Sequence, residues 1–190
     1  MHNEIKISDL LEDAPIIAAV RDETELELAL QSSVNVVFLL DATLGNLKSR
    51  IAQIRDHHKL VFVHLEMVSG LSKDVAALEF IKDEINPTGI ITTKPNLIQP
   101  AQNLRLLAIQ RLFILDSLSV QTGLKMVQNH VPDFIEIMPG IIGKVVLEFK
   151  KNCHIPIIAG GLISTKKEIV EMLKVGASAI STSRTELWNL

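Results

Sequence analysis

The chain has 190 residues, 47% of them apolar, and its 19 Lys and Arg against 22 Asp and Glu leave a net charge of −3. Length and apolar content describe one globular domain over residues 1–190 with a sizeable core, not a disordered segment, and the charge excludes the strongly basic balance of a dedicated nucleic-acid-binding domain. The single cysteine, Cys153, excludes an internal disulfide and suits a reducing compartment. No apolar run reaches the ~18 residues of a membrane span, and the acidic N-terminus MHNEIKISDLLED lacks the apolar stretch of a signal peptide. The sequence therefore predicts a soluble, cytoplasmic protein with no membrane contact.

PIIAAV (15–20) reads as a first strand, ended by Arg21, and DETELELALQS follows as a helix with Leu26, Leu28, Ala29 and Leu30 on one side. VVFLL (36–40) is the second strand, with Asp41 just beyond it. LVFVHLE (60–66) is the third and carries His64 and Glu66 two apart, hence on one strand face; His57 and His58 precede it and read as solvated. SKDVAALEFIKDEI has helical period with Ser72 as N-cap, and GIITT (89–93) is a fourth strand followed by Lys94. AIQRLF (108–113) holds Arg111 in its interior, and Asp116 after it is the clearest N-cap of the chain. FIEIM (134–138) holds Glu136 between two isoleucines. IPIIA (155–159) runs into Gly160-Gly161, with a helical segment from Ser164 that places Ile169, Met172 and Leu173 on one face before Gly176. ASAIST (177–182) is the eighth strand and ends in Ser181 and Thr182.

Strands alternating with helices imply parallel pairing through right-handed crossovers. Eight such units without an evident switch point predict a closed, compact (β/α)8 TIM barrel; the rival is a doubly wound open sheet. In a closed barrel the C-terminal strand ends form the functional mouth. A phosphate is held there by the loops after strands 7 and 8, which here carry Gly160, Gly161, Ser181 and Thr182: glycine lets backbone N–H groups approach an anion, and hydroxyls add donors. Glu136, inside an apolar run, costs several kcal/mol unless something cationic or hydroxylated meets it; Arg111, on the neighbouring strand, poses the same question with opposite sign.

No Ser–His–acid or Cys–His arrangement is present, so no catalytic residue is assigned. Asp41, His64, Glu66 and Glu136 read poorly as a metal site, with one histidine among three acids and basic residues close by, so no metal and no cofactor is assigned. The lysine pairs at 150–151 and 166–167 read as solvated helix faces, and a chain without tyrosine is poorly provided for base stacking.

AIQRLFILDS, FIEIMPGIIGKVV, IPIIAGGLIS, GIITTK and ASAISTSRTELW together resemble the glycerol uptake operon antiterminator regulatory proteins, and the resemblance runs from PIIAAVRD to ELW. It implies a ribulose-phosphate-binding-barrel-like fold that senses glycerol 3-phosphate as effector and binds a leader mRNA, favouring read-through of a terminator ahead of glycerol-utilisation genes. Such proteins are bacterial regulators, not enzymes. In that light Gly160, Gly161, Ser181 and Thr182 are the phosphate cradle, Lys94 and Arg111 add charge, and Asp41, His64, Glu66 and Glu136 accept from ligand hydroxyls. The resemblance implies aspartate where this chain has Glu66, whose reach is one methylene longer. RNA would be held by Lys and Arg gathered on one face, or by a homo-oligomer joining two weak patches. The alternative is a barrel enzyme of isomerase, epimerase or aldolase type on a small phosphorylated metabolite, using Glu136 with Glu66, or Lys94 as a Schiff base; a third reading is an interaction scaffold that binds no phosphate ester.

Overall fold

A computed structural model describes Leu11 and residues 14–190. Eight parallel strands close into a barrel in chain order: β1 (Ile16–Val20), β2 (Val36–Leu39), β3 (Leu60–His64), β4 (Gly89–Thr92), β5 (Leu107–Phe113), β6 (Phe134–Met138), β7 (Ile157–Gly160) and β8 (Ala179–Thr182). Closure is completed by β1 pairing with β8, Ile16 beside Ile180 and Ala18 beside Thr182. The helices are α1 (Glu23–Gln31), α2 (Leu47–Asp56), α3 (Val75–Phe80), α4 (Ile98–Asn103), α5 (Ser117–His130), α6 (Gly143–Asn152) and α7 (Lys166–Lys174); α3 runs on into a π turn, Ile81–Ile85.

The period of two along each strand divides its side chains between two cores. Ile17, Phe38, Phe62, Ile91, Ile109, Phe134, Ile158 and Ala179 point inward and pack with Leu11. Phe38 and Phe62 meet edge to face at 5.8 Å. Each buried large apolar side chain of this kind contributes roughly 1.5–3 kcal/mol. The alternate residues, Ala18, Val37, Val63, Ile135 and Ile180 among them, face outward against Leu26, Ile51, Val127, Phe149 and Ile169 of the helices. The lower barrel is thus packed shut, and only its upper layer is polar.

Three local expectations are revised. The third strand stops at His64: Leu65–Met67 is a 3₁₀ turn, followed by Val68–Ser69, which pairs with Ala42–Thr43 outside the barrel. His64 and Glu66 are therefore joined by a turn and not by a shared strand face. Helix α3 is capped by Asp74, which accepts from the Ala77 N–H at 2.9 Å, while Ser72 donates its hydroxyl to Asp74. Helix α7 begins at Lys166 with Thr165 as its N-cap in a capping box with Glu168. Asp116 caps α5 as expected, in a capping box with Ser119.

Candidate functional site

Above the apolar layers, the inward positions turn polar: His64 on β3, Arg111 on β5, Glu136 on β6 and Ser181 on β8, all buried. Arg111 and Glu136 are register partners on adjacent strands. The Arg111 Nε donates to Glu136 Oε2 at 2.6 Å, and the Ser181 hydroxyl donates to Glu136 Oε1 at 2.6 Å. Both carboxylate oxygens are thus satisfied, which is how a charge that is 1% exposed persists inside the barrel. The terminal nitrogens of Arg111 make no hydrogen bond among the described residues and stand at the wall of a cavity of about 600 Å³. That volume suits a small metabolite.

The cavity opens over β5, β6, β7, β8 and β1. Its polar wall is formed by Arg111, Glu136, Gly161, Ser164, Ser181, Thr182, Ser183 and Arg184, with Arg21 at the rim. The guanidinium of Arg21 is engaged by Glu25, with Nε 3.1 Å from Oε1, and the Arg21 backbone N–H also donates to that carboxylate. Arg184 forms no ion pair with a carboxylate among the described residues, and its side chain is exposed. It is the cation best placed to meet a dianion.

The two glycines divide the labour expected of them jointly. A Cβ at Gly160 would collide with Ser181 Oγ and Glu136 Oε1, so glycine at 160 makes room for the protein's own carboxylate network. Gly161 lines the cavity with φ +76°, and Leu162 follows with φ +61°, a rare conformation for leucine. The backbone N–H groups of Gly161, Leu162 and Ile163 donate to no acceptor among the described residues. Phosphate oxygens would find donors there and at Ser183, whereas the Ser164 hydroxyl and N–H both donate to Glu168 Oε2, at 3.2 and 2.8 Å.

The hydroxyls read from the sequence as phosphate donors have other work. Each carries one hydrogen. Ser181 gives its hydrogen to Glu136, and Thr182 gives its own to the Ile163 carbonyl at 3.0 Å while accepting from the Arg184 N–H at 3.1 Å. They brace the β7 and β8 loops. Thr182 is held from the other side as well, its carbonyl accepting from the buried Trp188 indole at 2.9 Å.

The remaining sequence candidates stand elsewhere. Asp41 is exposed and faces Arg50, its Oδ2 3.8 Å from the guanidinium. Lys94 is exposed and donates to the Lys73 carbonyl at 3.1 Å on the β3–β4 side, because strand 4 lies across the barrel from strands 7 and 8. Glu66 accepts from Thr92 Oγ1 there, and His64 Nδ1 lies 3.4 Å from Glu66 Oε2 without a well-formed hydrogen bond. Burial, then the Arg111 charge, pushes the His64 pKa down to about 3, so the ring is neutral. None of Asp41, His64, Glu66 and Lys94 lines the cavity. A Schiff base at Lys94 or an acid–base pair of Glu136 with Glu66 has no geometry to support it, and among the described residues no three His, Cys, Asp or Glu side chains converge. Arg21 lines the mouth at the end of strand 1 and Ser183 extends the Ser181-Thr182 pair, both at strand ends the sequence marked. Ser164 and Arg184 also line the cavity and were given no role from sequence, although Arg184, two residues past strand 8, stands at a strand end as well.

The model of the family described as glycerol-3-phosphate responsive antiterminator matches residues 16–188. The Escherichia coli (strain K12) protein YgcP is 33% identical over 181 residues, covering 95% of each chain. Among solved structures, the glycerol uptake operon antiterminator regulatory protein of Listeria monocytogenes str. 4b F2365 is 37% identical with a TM-score of 0.88, covering 91% of this chain and 94% of its own. A glycerol uptake operon antiterminator-related protein of Thermotoga maritima MSB8 is 36% identical with a TM-score of 0.82, covering 91% of this chain and 96% of its own.

Proposed function

The chain belongs to the glycerol-3-phosphate responsive antiterminator family, and from that premise we propose that it binds glycerol 3-phosphate in the Arg111–Glu136 cavity and acts in the bacterial cytoplasm on leader RNA ahead of glycerol-uptake genes. Family membership makes it a regulator and not an enzyme. Among the described residues, no helix is long and apolar enough to cross a membrane.

The observation that carries the ligand assignment is the polarity of the cavity. At one end lie Arg184, Ser183 and the free N–H groups of Gly161–Ile163, a set suited to phosphate oxygens. At the other lie the open guanidinium nitrogens of Arg111 and the second lone pairs of Glu136, suited to giving and accepting hydrogen bonds with a diol. A phosphate ester of glycerol needs both ends; inorganic phosphate uses one and glycerol the other.

Thermal melting tests this. Glycerol 3-phosphate at 100 times its dissociation constant adds about 2.7 kcal/mol, a rise of roughly 5–11 °C for a chain of this size. Glycerol or inorganic phosphate alone should shift the midpoint far less. No shift at millimolar ester would overturn the assignment, and an equal shift with inorganic phosphate would overturn the glycerol part of it.

A further inference from the structure

The charge of this protein is unevenly spread. Helix α1 and the run from α3 through the π turn carry Glu23, Glu25, Glu27, Glu79, Asp83 and Glu84 against one lysine, Lys82. Helices α6 and α7 carry the reverse: Lys144, Lys150, Lys151, Lys166, Lys167 and Lys174, all exposed. The three acids on these two helices neutralise little of that. Glu168 is occupied by the Ser164 and Thr165 N–H groups at the start of α7, Glu148 accepts from the Asn152 side chain, and only Glu171 approaches a lysine, Lys167 at 3.9 Å.

The two helices are neighbours and their lysines form one surface. Gly143 at the start of α6 faces Met172 of α7 and its C-cap Val175, and the Lys150 stem lies against Gly176, just beyond α7. The surface also adjoins the cavity. The loop that enters α7 supplies Gly161 to Ser164 of the cavity wall, and Met138, on that wall, ends the strand that leads to α6. Helices α1 to α4 offer no comparable set of unpaired lysines.

We propose that the exposed lysine face of α6 and α7 is where this protein holds RNA, through the phosphate backbone. The inference rests on the antiterminator reading above and adds a location to it. It accounts for how a chain of net charge −3, with no tyrosine, would bind a polyanion: Lys48 and Arg50 of α2 are paired with Glu84 and Glu23, while most lysines of α6 and α7 have no acid against them.

The test uses fluorescence anisotropy with a labelled transcript of the leader ahead of a glycerol-uptake gene, at saturating glycerol 3-phosphate and across a salt series. The full chain is compared with Lys150→Glu/Lys151→Glu/Lys166→Glu/Lys167→Glu and with a control reversed on α2, Lys48→Glu/Arg55→Glu. Expected is a loss of affinity of at least ~10-fold in the quadruple variant, with the salt slope reduced by about 2–3 if each lysine meets a phosphate, and no comparable loss in the control. A retained melting shift with glycerol 3-phosphate shows that the variant is folded and loaded. Should the reversal not fold, Lys→Gln at the same four positions gives the slope. A quadruple variant that binds as tightly as the unmodified chain overturns the location and leaves the antiterminator reading standing. No binding by the unmodified chain overturns both.

Discussion

Arg111 and Glu136 stand side by side on β5 and β6 and close a 2.6 Å ion pair in which both side chains are almost wholly buried, the carboxylate tied a second time by Ser181. The pair forms the floor of the cavity. Burying two charges costs several kcal/mol per ion, and the return is a guanidinium fixed in place with its terminal nitrogens free.

Removing one partner leaves an uncompensated buried charge. Arg111→Met or Glu136→Gln should each destabilise by about 3–5 kcal/mol, and the double substitution by clearly less than the sum. Ser181→Ala, which removes one hydrogen bond to the carboxylate, should cost about 1–3 kcal/mol. Denaturant titration of all four variants measures this. Additive single effects would show that the pair is not energetically coupled.

At the β7 end, Gly160→Ala sets a methyl against Ser181 Oγ and Glu136 Oε1 and should cost roughly 1–3 kcal/mol while disturbing the same network. Gly161→Ala, at φ +76°, should cost about 1–2 kcal/mol through backbone strain, and its Cβ would crowd Met138 Cε, 2.8 Å away. Melting with and without glycerol 3-phosphate separates the two: the first is expected to weaken the carboxylate end of the site, the second the phosphate end.

For ligand affinity the cations rank by what already holds them. Arg184→Ala should leave stability within about 0.5 kcal/mol, as for an exposed side chain without a partner, and should weaken glycerol 3-phosphate binding by about tenfold or more, the loss of one charge-assisted contact. Arg21→Ala should weaken it less, because that guanidinium is engaged by Glu25. Lys94→Ala, outside the cavity, should change nothing. Isothermal titration calorimetry gives the order, and an intact affinity in Arg184→Ala would remove it from the site.

Acid should expose His64. Its pKa is about 3 in the folded protein against 6.5 for the free side chain, with Arg111, Glu66 and Lys73 around it. The unfolded chain takes up a proton that the folded chain refuses, so this stability is complete above pH 6.5 and is lost as the pH falls from there toward 3. Between pH 7 and 5 the loss is about 2 kcal/mol, from roughly 1.4 kcal/mol per pH unit. Urea midpoints of the unmodified chain and of His64→Gln across that range check it; the variant's profile should be flatter by that amount.

Much of this protein is legible in its sequence because the information is local. Alternation of period two and 3.6 sets the eight strands and the helices between them, and closure then follows from eight equal units having no switch point. Asp116 could be read as a cap because a cap is satisfied within three residues. Glu136 could be read as buried from its isoleucine neighbours, and its pairing with Arg111 from their occurrence on consecutive strands. Barrel topology made those two neighbours.

What sequence could not settle is where each hydrogen and each charge is spent, because that depends on contacts between distant residues. Ser181 and Thr182 look like phosphate donors by type, yet their hydrogens go to Glu136, 45 residues away, and to Ile163, 19 away. Gly160 looks like an opening for an anion, yet the space it leaves is filled by that same carboxylate. Lys94 follows a strand end as Arg184 does, yet the barrel sets it on the opposite wall. The lysines of α6 and α7 read singly as solvated; side by side, with their acids occupied, they form a surface. The chain order determined the barrel, its apolar interior and the polar mouth, since these follow from periodicity and burial. The tertiary structure alone decided which polar groups at that mouth remain free to meet a ligand, since each hydrogen and each charge can be spent only once.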